Sequence, residues 1–440
     1  MNFFLLIAIP LLGYSLRNYH KAFLWYFLFR IFLSNFVPFL AIAGLPQIRM
    51  SLVCDAWFIF LPILRYLIKA NGKIVIPRLL PIFKPFAWMI FLILFSSIVS
   101  FLPFFNSINS AVLECISSYI FPLLFFAEIK QSEDLKFIIK GLMVVSIIAA
   151  IYGAFEAFMF RFMNPLVLYE QSLNPNNIDP LWVYETLARG SRGRVSSIFA
   201  HAIGCGCTMA IFTVFFLYIK GAHEKYIASN KLYYAAVFSS ILLVGLCNCR
   251  SPYPLLLISL LALWNFRPFL RLATSGIILL VVFHSELSSF IDVFLSIFDK
   301  NIEQQMGGGS NVEMRTEQFE ALIRAWLSGN PIIGEGAYAT RYWLERKIGL
   351  LGGESIWISL LLETGLLGCF FYLYIMKNLV TLGQGYGKRL IFFFVVGWIV
   401  MKTATSTPGL DDSLFFMIMF CIAKMDMKLF PEKCELKSFK

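Results

Sequence analysis

Three short segments place arginine where it can do phosphate chemistry. The first is Arg192-Gly193-Arg194-Val195-Ser196-Ser197-Ile198-Phe199-Ala200-His201, the second Asn248-Cys249-Arg250-Ser251-Pro252, and the third Arg315 at the head of an amphipathic stretch. Arginine stays charged at any relevant pH and grips phosphate oxygens with two parallel N–H bonds. Taken singly, each of these residues suits snorkelling or an acid partner as well as a ligand. Converging, they would suit a diphosphate. Arg250 stands out because Ser251-Pro252 makes a tight break where a purely structural arginine has little reason to sit. His201 is open to two readings, a hydrogen-bonded structural histidine, the commoner case, or a catalyst. Glu354 heads an apolar helix, where a carboxylate acts as a general base or simply answers the helix dipole. Glu363, deeper in the same helix, would orient the bundle or pair with an arginine.

The elements that must position these residues are apolar. Of 440 residues, 59% are hydrophobic and only 14% charged, with mean hydropathy +0.75. A soluble domain of this length cannot cover so much apolar side chain, so the composition predicts an all-α, polytopic integral membrane bundle. Apolar runs fall at 2–16, 22–45, 50–68, 86–105, 108–127, 137–160, 195–219, 232–249, 253–266, 272–291, 354–376, 390–406 and 410–424. That is about 12–13 spans at roughly 20 residues each. Met1–Leu16 has no basic start and no small-residue cleavage site, and reads as a span.

Lysine and arginine in short loops set the orientation. Arg17 and Lys21, then Lys69, Lys73, Arg78 and Lys84, then Lys220, Lys225 and Lys231, and the lysine-bearing tail all fall on one side if the spans alternate, and that side is cytoplasmic. The net charge of +11 is then a topological signal and a contact with anionic lipid. It is spread over many loops, which argues against a nucleic-acid partner. Residues 1–160 form a scaffold half, 161–291 a second set of helices with arginine-bearing outer segments, 292–353 a large outer loop, and 354–440 the last helices and a basic tail. Within the spans, Glu114 and Glu156 lie toward the outer side, where they suit a water-filled cavity.

The outer loop carries Phe319, Leu322, Ile323, Trp326 and Leu327 at helical spacing, the apolar stripe of an amphipathic helix. Ser310 or Asn311 can cap it, and Gly329-Asn330-Pro331 ends it. Cys205/Cys207 and Cys247/Cys249 are two C-x-C pairs; small apolar helix residues are the plainer reading, metal or disulfide the alternative. The chain shows no Walker loop, dinucleotide fingerprint or metal motif. An enzyme built this way would use no cofactor and no metal, and would act on a membrane substrate that is already activated.

Four pieces in order resemble the O-antigen ligase and O-antigen polymerase (Wzy-type) superfamily, over roughly residues 190–376. Arg194-x-Ser-Ser-x-Phe-x-His201 is similar to the family's Arg-x-x-Ser-x-Phe-x-His/Asn segment. Cys249-Arg250-Ser251 falls where the family carries a Ser-Arg pair. Arg315, Trp326 and Asn330-Pro331-Ile332-Ile333-Gly334-Glu335-Gly336 resemble its arginine, tryptophan and Pro-Gly-x-Gly loop. Glu354-Ser355 followed by Leu360-Leu361-x-Glu363-Thr364-Gly365-Leu366-Leu367-Gly368 resembles its His-Asn helix.

The resemblance implies a metal-independent glycosyltransferase of GT-C type in the bacterial inner membrane, with its site facing outward. Its substrate would be a glycan on undecaprenyl diphosphate, and its neighbours the bilayer and the flippase and chain-length regulator of the same pathway. Arg194, Arg250 and Arg315 would hold the diphosphate. Glu354 would activate or orient the acceptor hydroxyl, with His201 the nearest histidine to assist and Arg192, Glu363, Gly334 and Gly336 in support. The family's ligases have His-Asn where this chain has Glu354-Ser355, and often Pro after the histidine where it has Ala202. These departures favour a polymerase of surface polysaccharide (O-antigen, capsule or exopolysaccharide) over a ligase acting on lipid A-core. A lipid-linked oligosaccharide flippase is the alternative from another class, expected to show paired repeats and broken helices.

Overall fold

The computed structural model describes residues 4–33, 37–40, 48–69, 83–159, 164–172, 188–189, 192–199, 201–262, 312–345, 355–382, 385–405 and 412–426. The described chain is a helical bundle. Its helices are α1 (Leu5–Arg17), α2 (Tyr19–Arg30), α3 (Met50–Lys69), α4 (Lys84–Val99), α5 (Phe104–Glu114), α6 (Phe121–Glu128), α7 (Ser132–Phe158) and α8 (Pro165–Ser172), then α9 (Ala202–Ala222), α10 (Asn230–Leu246) and α11 (Pro252–Leu261). Further along the chain come α12 (Val312–Ser328), α13 (Ala339–Glu345), α14 (Ile356–Thr381), α15 (Gly385–Ala404) and α16 (Asp412–Asp426). Two short antiparallel ribbons pair Pro38–Leu40 with Ile48–Arg49 and Ala188–Arg189 with Arg192–Gly193.

Four helical stretches are long and apolar enough to cross a membrane: Phe104–Glu128, Ser132–Phe158, Ala202–Ala222 and Ile356–Thr381. In α7 this follows from side chains that are apolar all round. One face buries Leu135, Ile138, Leu142 and Ala149 in the bundle, and the other leaves Ile148, Ile151 and Phe155 exposed, as a lipid-facing surface requires. A capping box between Gln131 and Asp134 starts the helix.

The observed elements differ from the expected spans in three places. In the run 22–45 the described helix is Tyr19–Arg30, and residues 34–36 and 41–47 lie outside the described residues. The run 195–219 becomes helical only at Ala202, since Ser196 and Ser197 are held in an extended turn and Ser197 takes φ 53°. The run 253–266 is helical over Pro252–Leu261, and 272–291 lies outside the described residues. The amphipathic helix is present as α12; the proposed caps Ser310 and Asn311 lie outside the described residues.

A buried ion pair ties the scaffold together. Arg30 Nε donates to Asp55 Oδ1 at 2.9 Å and its Nη2 to Oδ2 at 3.1 Å, while the Tyr26 hydroxyl donates to Oδ1 at 2.6 Å. The same guanidinium reaches Ser413 Oγ at 3.1 Å, so α2, α3 and α16 share one charge network. A π-helical turn, Cys115–Ile120, joins α5 to α6 and brings Ser117 to this network, its Oγ 3.3 Å from Asp55 Oδ2. A wide turn of this kind redirects side chains within a helix, and here it also points Tyr119 toward Phe86 and Phe416.

The segment 331–336 returns to the bundle and repairs a broken helix. Gly365 sits at φ 63°, ψ −160° inside α14, a conformation essentially reserved for glycine. In an unbroken helix, the Leu366 and Leu367 amides would bond the Leu362 and Glu363 carbonyls. Instead Leu366 N donates to Pro331 O and Leu367 N to Ile332 O, both at 3.0 Å. Leu362 O accepts from Glu335 N at 2.8 Å, and Glu363 O from Gly336 N at 3.0 Å. All four freed groups are satisfied by one segment, as irregular backbone at membrane depth demands.

A Cβ on Gly365 would lie 2.4 Å from Ile332 O, and on Gly334 2.4 Å from the Glu363 carbonyl carbon. Gly365→Ala should therefore destabilise the protein by about 2–5 kcal/mol, the sum of backbone strain and steric overlap. Thermal unfolding of the full-length protein in detergent checks this; an unchanged midpoint would remove the loop–helix pairing as a stabilising element.

Candidate functional site

The arginine segment that leads into α9 is shaped by one buried carboxylate. Glu156, near the end of α7, is 0% exposed. It accepts from Ser196 N at 2.9 Å, Ser196 Oγ at 3.2 Å, Ser197 N at 2.6 Å and Asn164 Nδ2 at 3.1 Å. Asn164 also donates to Ser196 Oγ and Ser197 O, and Ser197 Oγ donates to Ala149 O at 2.6 Å. Ser196 and Ser197 thus serve to fix the backbone that carries Arg194. Glu156 does not line a cavity, as its position in the span had suggested; it substitutes for the backbone partners an extended turn lacks.

The same segment is stitched to the Arg250 turn. Val195 N donates to Leu246 O at 3.2 Å, at the end of α10. Asn248 follows at φ 48°, reversing the chain into Arg250 and Pro252. Gly206 lets α9 approach closely, since a Cβ there would lie 2.7 Å from Pro252 Cγ. Arg194 is within electrostatic reach of His201 and Cys247, and its buried Nε has no hydrogen-bond partner among the described residues. The two C-x-C pairs meet here as well, with Cys205 against Cys247 and all four thiols buried and outside any disulfide.

His201 caps α9. Its Nδ1 accepts from Ile203 N at 3.1 Å, which leaves the proton on Nε2 and makes that nitrogen a donor.

The glycine loop forms a second centre. Asn330 Oδ1 accepts from the amides of Ile332 and Ile333, and Trp326 Nε1 donates to Pro331 O at 3.0 Å. Ala337 N donates to Ser97 Oγ at 3.0 Å, and Ser100 Oγ to Glu335 O. Gly336 must be glycine, at φ 91° with Ser97 Cα 2.9 Å from where a Cβ would stand. Glu335 is buried, with Trp343 Nε1 on its Oε2 at 2.8 Å. Burial raises its carboxyl above the usual range, and the Trp343 bond partly offsets this.

Beneath this loop lies a cavity of about 110 Å³ that the sequence did not single out. Glu114, Tyr119, Glu363, Tyr372, Lys402 and Asp412 line it. Lys402 Nζ pairs with Asp412 Oδ1 at 2.8 Å. Glu363 faces Thr340 rather than an arginine. Glu114 and Glu363 carried a signal, as acids inside apolar helices. Asp412 and Lys402 did not, because each sits at a helix end where a charge is ordinary.

The structure therefore brings together Arg194, His201 and the Arg250 turn. Arg315 belongs to α12, whose Leu322 and Ala325 pack with Ile358 and Leu362 of α14. Gly334, Gly336 and Glu363 join that second group. The Arg192 backbone pairs with Arg189 in the short ribbon. Glu354 lies outside the described residues, one position before Ser355, the N-cap of α14. Arg49, missed in the sequence, comes within electrostatic reach of Arg341.

No protein-family model matches the chain, and no curated protein matches it.

Replacing Glu156 by Ala strands the Ser196 and Ser197 amides in a dry site. The expected loss is about 2–6 kcal/mol, at roughly 1–3 kcal/mol for each of the two orphaned donors. A denaturation series in detergent reads it, and a variant as stable as the parent would show that Glu156 does not shape the Arg194 segment.

Proposed function

We propose that this chain is a membrane glycosyltransferase that polymerises undecaprenyl-diphosphate-linked repeats into a surface polysaccharide. The observation that carries the reading is the junction of the Arg194 segment with the Arg250 turn. The segments that carry these two arginines, distant in the sequence, are joined by the Val195–Leu246 backbone hydrogen bond. Arg194 Nε has no hydrogen-bond partner among the described residues. Such a pair stabilises charge that develops on a diphosphate leaving group. Nε2–H of His201 supplies a further donor to a phosphate oxygen, and Arg315 a third cation from the lid. Glu354, at the entry of α14, activates or orients the acceptor hydroxyl.

The wider reading follows from this. The chain is a polytopic GT-C-like bundle in the bacterial inner membrane, with the arginines and the outer loop on the side away from the cytoplasm. It needs neither metal nor cofactor. The flippase and chain-length regulator of the same pathway are its working partners. The break in α14 is the one observation that favours a transporter, because discontinuous helices line transport sites. Here the four freed backbone groups are taken by residues 331–336, which leaves them unavailable to a transported ion or sugar.

A host strain lacking the gene decides among the readings. The polymerase reading expects single lipid-linked repeats at the outer face. Long polymer that stays on its lipid carrier would assign a ligase, and repeats trapped on the cytoplasmic face a flippase. Complementation with Arg250→Ala should reduce polymer formation by about 100–1,000-fold, the usual effect of losing one charge-stabilising donor, with the protein present in the membrane at parental levels. Normal polymer from that variant would end the diphosphate role of Arg250.

A further inference from the structure

The cavity under the glycine loop is lined by two polar groups that make no hydrogen bond among the described residues. Tyr119 is 3% exposed, lines the cavity, and its hydroxyl makes no hydrogen bond among the described residues. The Glu114 carboxylate lines the same space and likewise has no hydrogen-bond partner among them. Lys402 pairs with Asp412, Glu363 faces Thr340, and the Tyr372 hydroxyl accepts from Trp398 Nε1 at 3.2 Å. Buried polar groups left open in this way cost about 1–3 kcal/mol each unless a ligand or water completes them.

The two open groups are complementary in a specific sense. A carboxylate only accepts, and a phenol hydroxyl can donate. One group that donates to the first and accepts from the second is an alcohol. The π-helical turn Cys115–Ile120 is what sets them side by side, since Glu114 precedes it and Tyr119 lies within it. Lys402, on the cavity wall, is within electrostatic reach of Cys207 on α9.

We propose that this cavity receives the acceptor sugar hydroxyl, with Tyr119 donating to its oxygen and Glu114 taking its proton. The proposal rests on the polymerase reading above. In the step, the hydroxyl oxygen bonds to the anomeric carbon of the donor sugar. The bond from that carbon to the diphosphate oxygen breaks, and its electron pair leaves with undecaprenyl diphosphate. The hydroxyl proton passes to Glu114, and Glu354 is left with the task of orienting the acceptor.

The test uses the purified full-length protein and undecaprenyl-diphosphate-linked repeat isolated from a host strain lacking the gene. If the wild type makes no polymer from it, the polymerase reading itself falls. If it does, Glu114→Gln should slow polymerisation by about 100-fold or more, the scale of general-base catalysis. Retention of the lipid-linked donor on the immobilised protein should stay within about threefold of wild type. The fall in rate toward acid pH should disappear in that variant, and Glu114→Asp should recover part of the rate. Tyr119→Phe should raise the apparent KM with a smaller change in kcat. A Glu114→Gln enzyme with the wild-type rate overturns the proposal while leaving the reading intact. So does a variant that loses donor retention along with rate, which marks a structural role. Loss of the acid limb in Glu354→Gln instead would move the base to Glu354.

Discussion

The constraint on which the rest of this structure depends is that backbone at membrane depth must find its own hydrogen bonds. Helix α14 breaks at Gly365, and the two amides and two carbonyls released are taken up by residues 331–336. A hydrocarbon surrounding offers no substitute partners. The glycine loop is therefore part of the wall of the bundle, although it belongs to the polar insert by sequence. Its further bonds to Ser97 and Ser100 bind it to α4. Everything carried by the insert, from Trp326 to Trp343, inherits its position from that pairing.

The buried acids divide by what surrounds them. Asp55 is matched by Arg30, Tyr26 and Ser117 and holds the scaffold. Glu156 is matched by two amides, a hydroxyl and Asn164, and holds the arginine segment. Both are saturated, so both suit architecture. A charge taken from water repays its desolvation only with such a complete shell. Glu114 has no shell of that kind, which is why chemistry is assigned to it and not to its better-bonded neighbours.

Most helices could be read from composition. Apolar runs with basic punctuation located α3, α7, α10, α14 and α15 to within a few residues, because hydropathy is a local property. The amphipathic stripe gave α12 in the same way. The failures came where a long-range contact overrode the local pattern. Residues 195–199 are apolar enough for a helix, yet Glu156 holds the Ser196–Ser197 turn from 40 positions away. Glu156 and Glu114 looked alike in sequence, two acids toward the outer side, and the fold separated their roles.

By itself the sequence determined that the chain is apolar and helical, where its arginines and glycine loop lie, and which superfamily its motifs resemble. Those properties are written in neighbouring residues. Only the tertiary structure decided that Val195 meets Leu246, that Ala337 meets Ser97 across 240 positions, and that Glu114 and Tyr119 share a cavity with Glu363, Lys402 and Asp412. The physical reason is that hydrogen-bond completion inside an apolar bundle is a property of the packed whole. No spacing of residue types reveals which polar groups the fold will satisfy and which it will leave open.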